Sequence, residues 1–172
     1  EEIFKMKFDV IIGNPPYQLS DGGAQASASP LYHLFIQQAK KLNPRYLTMI
    51  IPARWYAGGK GLDAFRDEML DDIHIKELHD FPITDDCFPG VNIRGGVCYF
   101  LWDRAYDNRQ SLTTVVTHTK NDQQVMLRHL RYEDLNIFIR NGFALKILEK
   151  VNSISKGDTL SQYVSPRKPF GY

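Results

Sequence analysis

Hydrophobic positions along this chain follow two alternating patterns: short unbroken runs, and stretches where apolar residues recur every three or four positions. The first run, residues 8–12, predicts a strand of the kind covered on both faces of a sheet. Residues 18–29 are polar and small and predict a loop. Ser29-Pro30 predicts a helix start, with serine as N-cap and proline at the first helical position. Leu31, Phe35, Ala39 and Leu42 then form one apolar stripe, which Asn43-Pro44 ends. Residues 46–51 predict a second buried strand closed by Pro52. A loop containing Trp55, Tyr56, Gly58, Gly59 and Gly61 leads to a second helix over 62–70, with Leu62, Phe65 and Met69 on one face. Residues 73–81 and 96–102 predict two strands with no helix between them, hence antiparallel neighbours joined by the loop 82–95.

Residues 103–111 are a polar break and a predicted domain edge. Strands over 113–117 and 124–130 follow, about a turn at Asn121-Asp122. A helix over 143–151 carries Phe143, Ala144, Ile147, Leu148 and Val151 on one face, and a loop-like tail from 153 contains Pro166, Pro169 and Gly171. Strand, helix, strand, helix, strand, strand is an α/β order. It predicts the second half of a doubly wound sheet with an antiparallel last strand, plus a small α+β extension.

Length and composition narrow the class. The 172 residues suffice for one ordinary domain, or a domain with a piece of another. With 43% hydrophobic and 12% aromatic residues, the chain reads as soluble and globular. No apolar run approaches the ~20 residues of a membrane span, and acidic Glu1-Glu2 stand where a signal peptide would be basic. Cys87 and Cys98 are read as two free buried thiols, which points to a reducing cytoplasm. Residues 1–125 carry 13 Lys/Arg and 16 Asp/Glu (net −3), and residues 126–172 carry 8 and 4 (net +4), so the basic excess sits at the carboxyl-terminal end.

The chemistry concentrates at the end of the first strand, in Asn14-Pro15-Pro16-Tyr17. Ligands of open α/β sheets bind outside the carboxyl ends of strands. An amino group on an aromatic ring, such as adenine N6, is a poor nucleophile because its lone pair is delocalised. Two acceptors on its two N–H bonds would hold the nitrogen nearer to tetrahedral and aim the lone pair outward. The Asn14 side-chain oxygen is one acceptor. The Pro15 carbonyl is the other, and Pro15 has no N–H to compete. Pro16 restricts Pro15 to extended conformations, and Tyr17 offers a flat face for a planar base. Asn-Pro and Pro-Pro also break strands, and a plain turn is the structural alternative. The buried strand before the tetrapeptide and the aromatic ring at its end favour a pocket lip.

Residues 8–18, FDVIIGNPPYQ, resemble the catalytic motif of DNA adenine-N6 methyltransferases of restriction-modification systems. The resemblance implies that Asn14 and Pro15 bind the target amino group, with Pro16 between them and the stack, and that Tyr17 stacks on an adenine flipped out of duplex DNA. It extends to 46–52, YLTMIIP, whose closing proline begins a pocket-lining loop, and to Cys87-Phe88-Pro89-Gly90, which makes Phe88 a second stacking residue. The methyl donor it implies is S-adenosylmethionine, touched here by Asn14 alone. The glycine-rich turn and acidic residue that hold the donor in this family are not among these residues. The expectation is therefore a fragment, inactive by itself: residues 1–105 as the carboxyl-terminal half of the catalytic domain, and 106–172 leading toward a target-recognition domain. The first strand is expected as a bare sheet edge, open to self-association.

Other candidates carry less. Gly58-Gly59-Lys60-Gly61 fits neither phosphate-loop pattern and reads as a flexible helix lead-in near the pocket. Trp55 and Tyr56 read as core-closing aromatics in preference to DNA contacts. The five histidines have no ligand-like spacing, so no metal is expected. His79-Asp80 and Asp85-Asp86 read as solvated charges without a role. Arg167 and Lys168 are potential phosphate contacts in the tail. Two other functional classes remain open: methylation of a protein glutamine or an RNA base, and a non-catalytic remnant or interaction module.

Overall fold

The computed structural model describes residues 7–19 and 29–155. The chain forms two compact units that divide between Arg140 and Asn141. The first holds a six-stranded open sheet: β1 (Val10–Gly13), β2 (Tyr46–Pro52), β3 (Ile75–Phe81), β4 (Val97–Asp103), β5 (Thr113–Thr119) and β6 (Asp122–Arg128). Their spatial order is β1-β2-β4-β3-β5-β6. β1 runs parallel to β2, and β3 parallel to β5. β4 lies antiparallel between β2 and β3, and β6 is antiparallel to β5. The expected antiparallel pairing of the third and fourth strands is present, and the class is mixed α/β.

Two helices, α1 (Tyr32–Lys41) and α2 (Asp63–Asp71), pack on one face of this sheet. Residues two apart share a face of a strand, so Leu47, Met49 and Ile51 of β2 lie level with Trp102, Phe100 and Cys98 of β4. Leu78 of β3 continues the row, and Tyr32, Ile36, Phe65 and Met69 cover it from the helices. The Tyr32 and Phe65 rings meet edge-to-face at 6.0 Å, joining the two helices. Burying side chains of this size contributes roughly 1.5–3 kcal/mol each.

The expected face of α2 is the buried one, but that of α1 is rotated. Tyr32, Ile36 and Ala39 point inward, whereas Leu34, Phe35 and Leu42 are each more than 40% exposed. The start also differs from the Ser29-Pro30 prediction. The helix begins at Tyr32, because Pro30 forms an antiparallel bridge with Gln18 and the Leu31 N–H is taken by the Tyr17 carbonyl at 3.1 Å. Most of the predicted loop 18–29 lies outside the described residues, as does the tail with Arg167 and Lys168.

Among the described strands β1 is one edge of the sheet and β6 the other. Ile11 packs against the core, while Val10 and Ile12 are exposed, so among the described residues the strand is covered on one face rather than both. The polar break at 103–111 is crossed by the sheet. Its polar groups are spent on tertiary bonds: Asp103 pairs with Arg45 at 3.1 Å, and buried Asn108 donates to the Asp72 carbonyl and to Thr113. The short helix α3 (Asn108–Ser111) is capped by Asp107, and β5 then joins β3 directly. The second unit contributes α4 (Gly142–Ser155), whose Phe143 N–H is accepted by the Asn141 side chain at 2.9 Å. Phe143, Ile147 and Val151 of its predicted apolar face are all more than half exposed.

Candidate functional site at the carboxyl end of the first strand

β1 delivers Asn14, Pro15, Pro16 and Tyr17 together into the wall of a cavity of about 570 Å3. Asn14 and Pro16 are exposed, Pro15 is buried and Tyr17 is half-buried. The Tyr17 carbonyl is fixed by the Leu31 N–H at the entry to α1, so the aromatic end of the tetrapeptide is tied to the helix that follows it. The Tyr17 hydroxyl is buried without a hydrogen-bond partner among the described residues. Burial, and then the nearby Cys87 and Cys98 thiols, push its phenol above the ordinary range. The ring therefore stays neutral and serves as an apolar surface.

The opposite walls come from parts of the chain that local patterning does not connect. Tyr32 opens α1. Pro52 closes β2, as its predicted place in a pocket-lining loop requires, and Arg54 follows in the 3-10 segment Ala53–Ala57. Asn92, Ile93 and Arg94 come from the loop before β4. The loop after β2 and the loop before β4 are laced together by the Ala53 N–H donating to the Gly96 carbonyl at 3.0 Å. Gly96 has φ +82°, and an added Cβ would overlap the Phe81 and Pro82 carbonyl groups, so only glycine permits this close approach. Arg54 and Arg94 are both exposed, and among the described residues no carboxylate lines the cavity.

Phe88 is not brought to this cavity. It is half-buried in the loop before β4, where its N–H donates to the Thr84 carbonyl at 2.7 Å and its carbonyl accepts from Val91. Trp55 and Tyr56 are buried against Phe65 and Phe138 and close the core. Cys98 is buried and Cys87 half-buried, both free thiols, and burial pushes Cys98 up to about 12.

Asp80 is no solvated charge. It is fully buried on the helix-covered face, beside Cys98, and forms an ion pair of 2.7 Å with Arg140. Burial raises its carboxyl to about 6 against the opposing pull of Arg140. Arg140 also donates to the Gly95 carbonyl at 2.7 Å and lies over the Tyr56 ring at 5.0 Å, bracing the loop that carries Asn92 and Arg94. Among the described residues no group of three or more His, Cys, Asp or Glu side chains is placed to hold a metal ion. None of their helices is long and apolar enough to cross a membrane.

An amide, a proline carbonyl and an aromatic ring stand together at a strand's carboxyl end beside a cavity of ligand size, the place where open α/β sheets bind their ligands. Residues 1–88 match the Eco57I restriction-modification methylase family, and the chain belongs to that family. Over 162 residues it is 36% identical to a protein of Mycoplasma pneumoniae (strain ATCC 29342 / M129 / Subtype 1) described as an uncharacterized adenine-specific methylase. That alignment takes in 89% of this chain and 38% of the relative, so the chain spans little more than a third of the relative's length. Among solved structures, the methyltransferase subunit of a type I restriction-modification system from Streptococcus thermophilus aligns with TM-score 0.47 and 13% identity, covering 92% of this chain and 34% of that one. The type IIG restriction endonuclease BpuSI aligns with TM-score 0.45 and 13% identity, covering 63% of this chain and 15% of its own.

Proposed function

We propose that this chain carries the base-holding side of an adenine-N6 methylation site that acts on duplex DNA. The observation that carries the reading is the placement of Asn14, Pro15, Pro16 and Tyr17 side by side in the wall of the 570 Å3 cavity. The Asn14 side-chain oxygen and the Pro15 carbonyl accept the two N6 hydrogens of an adenine flipped into the cavity. This draws the nitrogen lone pair out of the ring and directs it away from the wall. Tyr17 supplies the stacking face, and its fixed carbonyl keeps that face in place as the base enters. Holding the amine in this geometry before reaction lowers the barrier by orientation rather than by proton transfer.

S-adenosylmethionine is the methyl donor in this reading. Its sulfonium and ammonium charges do not match the cavity, whose charged lining groups among the described residues are Arg54 and Arg94. The donor is therefore held by residues other than these, with Asn14 at the boundary where donor and base meet. Phe88 is assigned to the second face of the base, and a movement of its loop on DNA binding would bring it there. The polypeptide that contains this chain then belongs to a restriction-modification system, and this chain alone is inactive.

The test is methyl transfer by the full-length protein from labelled donor to unmethylated duplex DNA, to RNA and to protein. Label recovered as N6-methyladenine from duplex DNA supports the proposal. Label confined to RNA or to a glutamine side chain rejects it.

A further inference from the structure

A second hollow of about 640 Å3 adjoins the candidate adenine cavity, and Arg54 and Arg94 line both. Its other charged lining residues are Lys60 and Arg140, and among the described residues none of its lining is acidic. Arg140 is committed to Asp80 and to the Gly95 carbonyl, and serves as the floor. Arg54, Lys60 and Arg94 are exposed. The neighbouring Arg66 is buried and takes no part.

This collection of cations runs against the local composition, because residues 1–125 carry a net charge of −3. The three come from different places: Arg54 from the 3-10 segment after β2, Lys60 from the glycine turn before α2, and Arg94 from the loop before β4. The Arg140 bond to Gly95 and the Ala53 bond to Gly96 hold two of these three segments in register. Two guanidinium forks on laced segments with an ammonium beside them suit phosphodiester oxygens, which arginine grips in two places and lysine as a point charge.

Resting on the adenine-capture reading, we propose that Arg54, Lys60 and Arg94 form a clamp for the target-strand phosphates on either side of the flipped nucleotide. A base rotates out about its own backbone. The phosphates flanking it must therefore come to rest at the mouth of whatever cavity receives it. The shared arginines stand where the base cavity passes into the basic hollow. The clamp holds the backbone in its rotated form, and Tyr17 holds the base.

The experiment compares the salt dependence of duplex binding by the full chain, without methyl donor, for the natural protein and the Arg54→Gln/Lys60→Gln/Arg94→Gln variant. Lys120→Gln, an exposed change at the β5–β6 turn, controls for general loss of charge. Each lost phosphate contact removes about 0.9 from the slope of log Kd against log salt concentration, so the triple variant is expected to lose about 2–3 and the control far less. On a duplex bearing its methylation site, uncharged methylphosphonates flanking the target adenine should weaken the natural protein and leave the triple variant unchanged. A slope no different from the control, or a triple variant as sensitive to methylphosphonates as the natural protein, overturns the clamp. Both readouts concern binding alone. Methylation that survives loss of Asn14 would therefore reject adenine capture without touching them.

Discussion

The Arg140 guanidinium lies 2.7 Å from the Asp80 carboxylate, which is fully buried against Cys98 and Tyr56. The pair ties the middle of the sheet to the loop that carries Asn92 and Arg94, since the same guanidinium bonds the Gly95 carbonyl. Removing one partner of a buried pair leaves the other charge uncompensated, at a cost of about 3–5 kcal/mol. Arg140→Met is therefore expected to lower the urea midpoint strongly, and thermal or denaturant unfolding measures it.

Asp80 also sets a pH dependence. Its folded-state value of about 6 lies above the ordinary carboxylate value, so the folded protein binds the proton more tightly than the unfolded chain. Its contribution to stability is then greatest below about pH 4 and declines as pH rises toward 6. In Asp80→Asn this decline disappears, and the variant gains on the natural protein by on the order of 2–3 kcal/mol between those limits. Parallel unfolding curves for the two proteins across pH 4–7 would contradict the assignment.

Gly96→Ala is expected to destabilise by about 2–4 kcal/mol, from strain at positive φ and from overlap with the Phe81 and Pro82 carbonyl groups. Gly90→Ala serves as a comparison, because an added Cβ there meets nothing within 4 Å and only the positive φ is strained. Equal losses at the two positions would show that the close approach at Gly96 is unimportant.

Tyr17→Ala should weaken base capture by the ~1–3 kcal/mol typical of stacking on an aromatic side chain. Fluorescence of 2-aminopurine at the target position reads this directly. Phe88→Ala should produce a further loss of similar size if its loop closes over the base. Unaltered fluorescence in Phe88→Ala would remove that residue from the site.

Ile12 is 77% exposed on the edge strand β1. Among the described residues no strand pairs with its outer side, and an apolar edge of this kind is a template for pairing with another chain. Ile12→Lys is expected to reduce self-association of the 172-residue chain in light scattering. An unchanged mass distribution would exclude the edge as the contact.

The second and fourth strands and the second helix were legible in the sequence because each buries a regular apolar row that periodicity reveals, whereas the edge strands β1 and β6 leave Ile12, Val125 and Leu127 exposed. The first helix was misplaced by two residues and rotated, because Ser29 and Pro30 are spent on pairing with Leu19 and Gln18 instead of capping. The break at 103–111 looked like a boundary because Asn108 and Asp103 are polar; their partners, Asp72 and Arg45, are distant in sequence. At the candidate site, the grouping of residues 14–17 in one cavity wall was legible because they are contiguous. Arg54 and Arg94 were not, since 40 residues separate them and only the lacing of two loops brings them together.

The central claim is that Asn14 acts on the amino group rather than on the fold or on DNA affinity. The most direct measurement is methyl transfer to duplex DNA by full-length Asn14→Ala, with DNA affinity and unfolding measured on the same preparation. The account predicts at least a hundredfold loss of turnover (about 2.7 kcal/mol or more), with affinity and stability close to those of the natural protein. Methylation retained in that variant, or lost only in proportion to affinity, would contradict it.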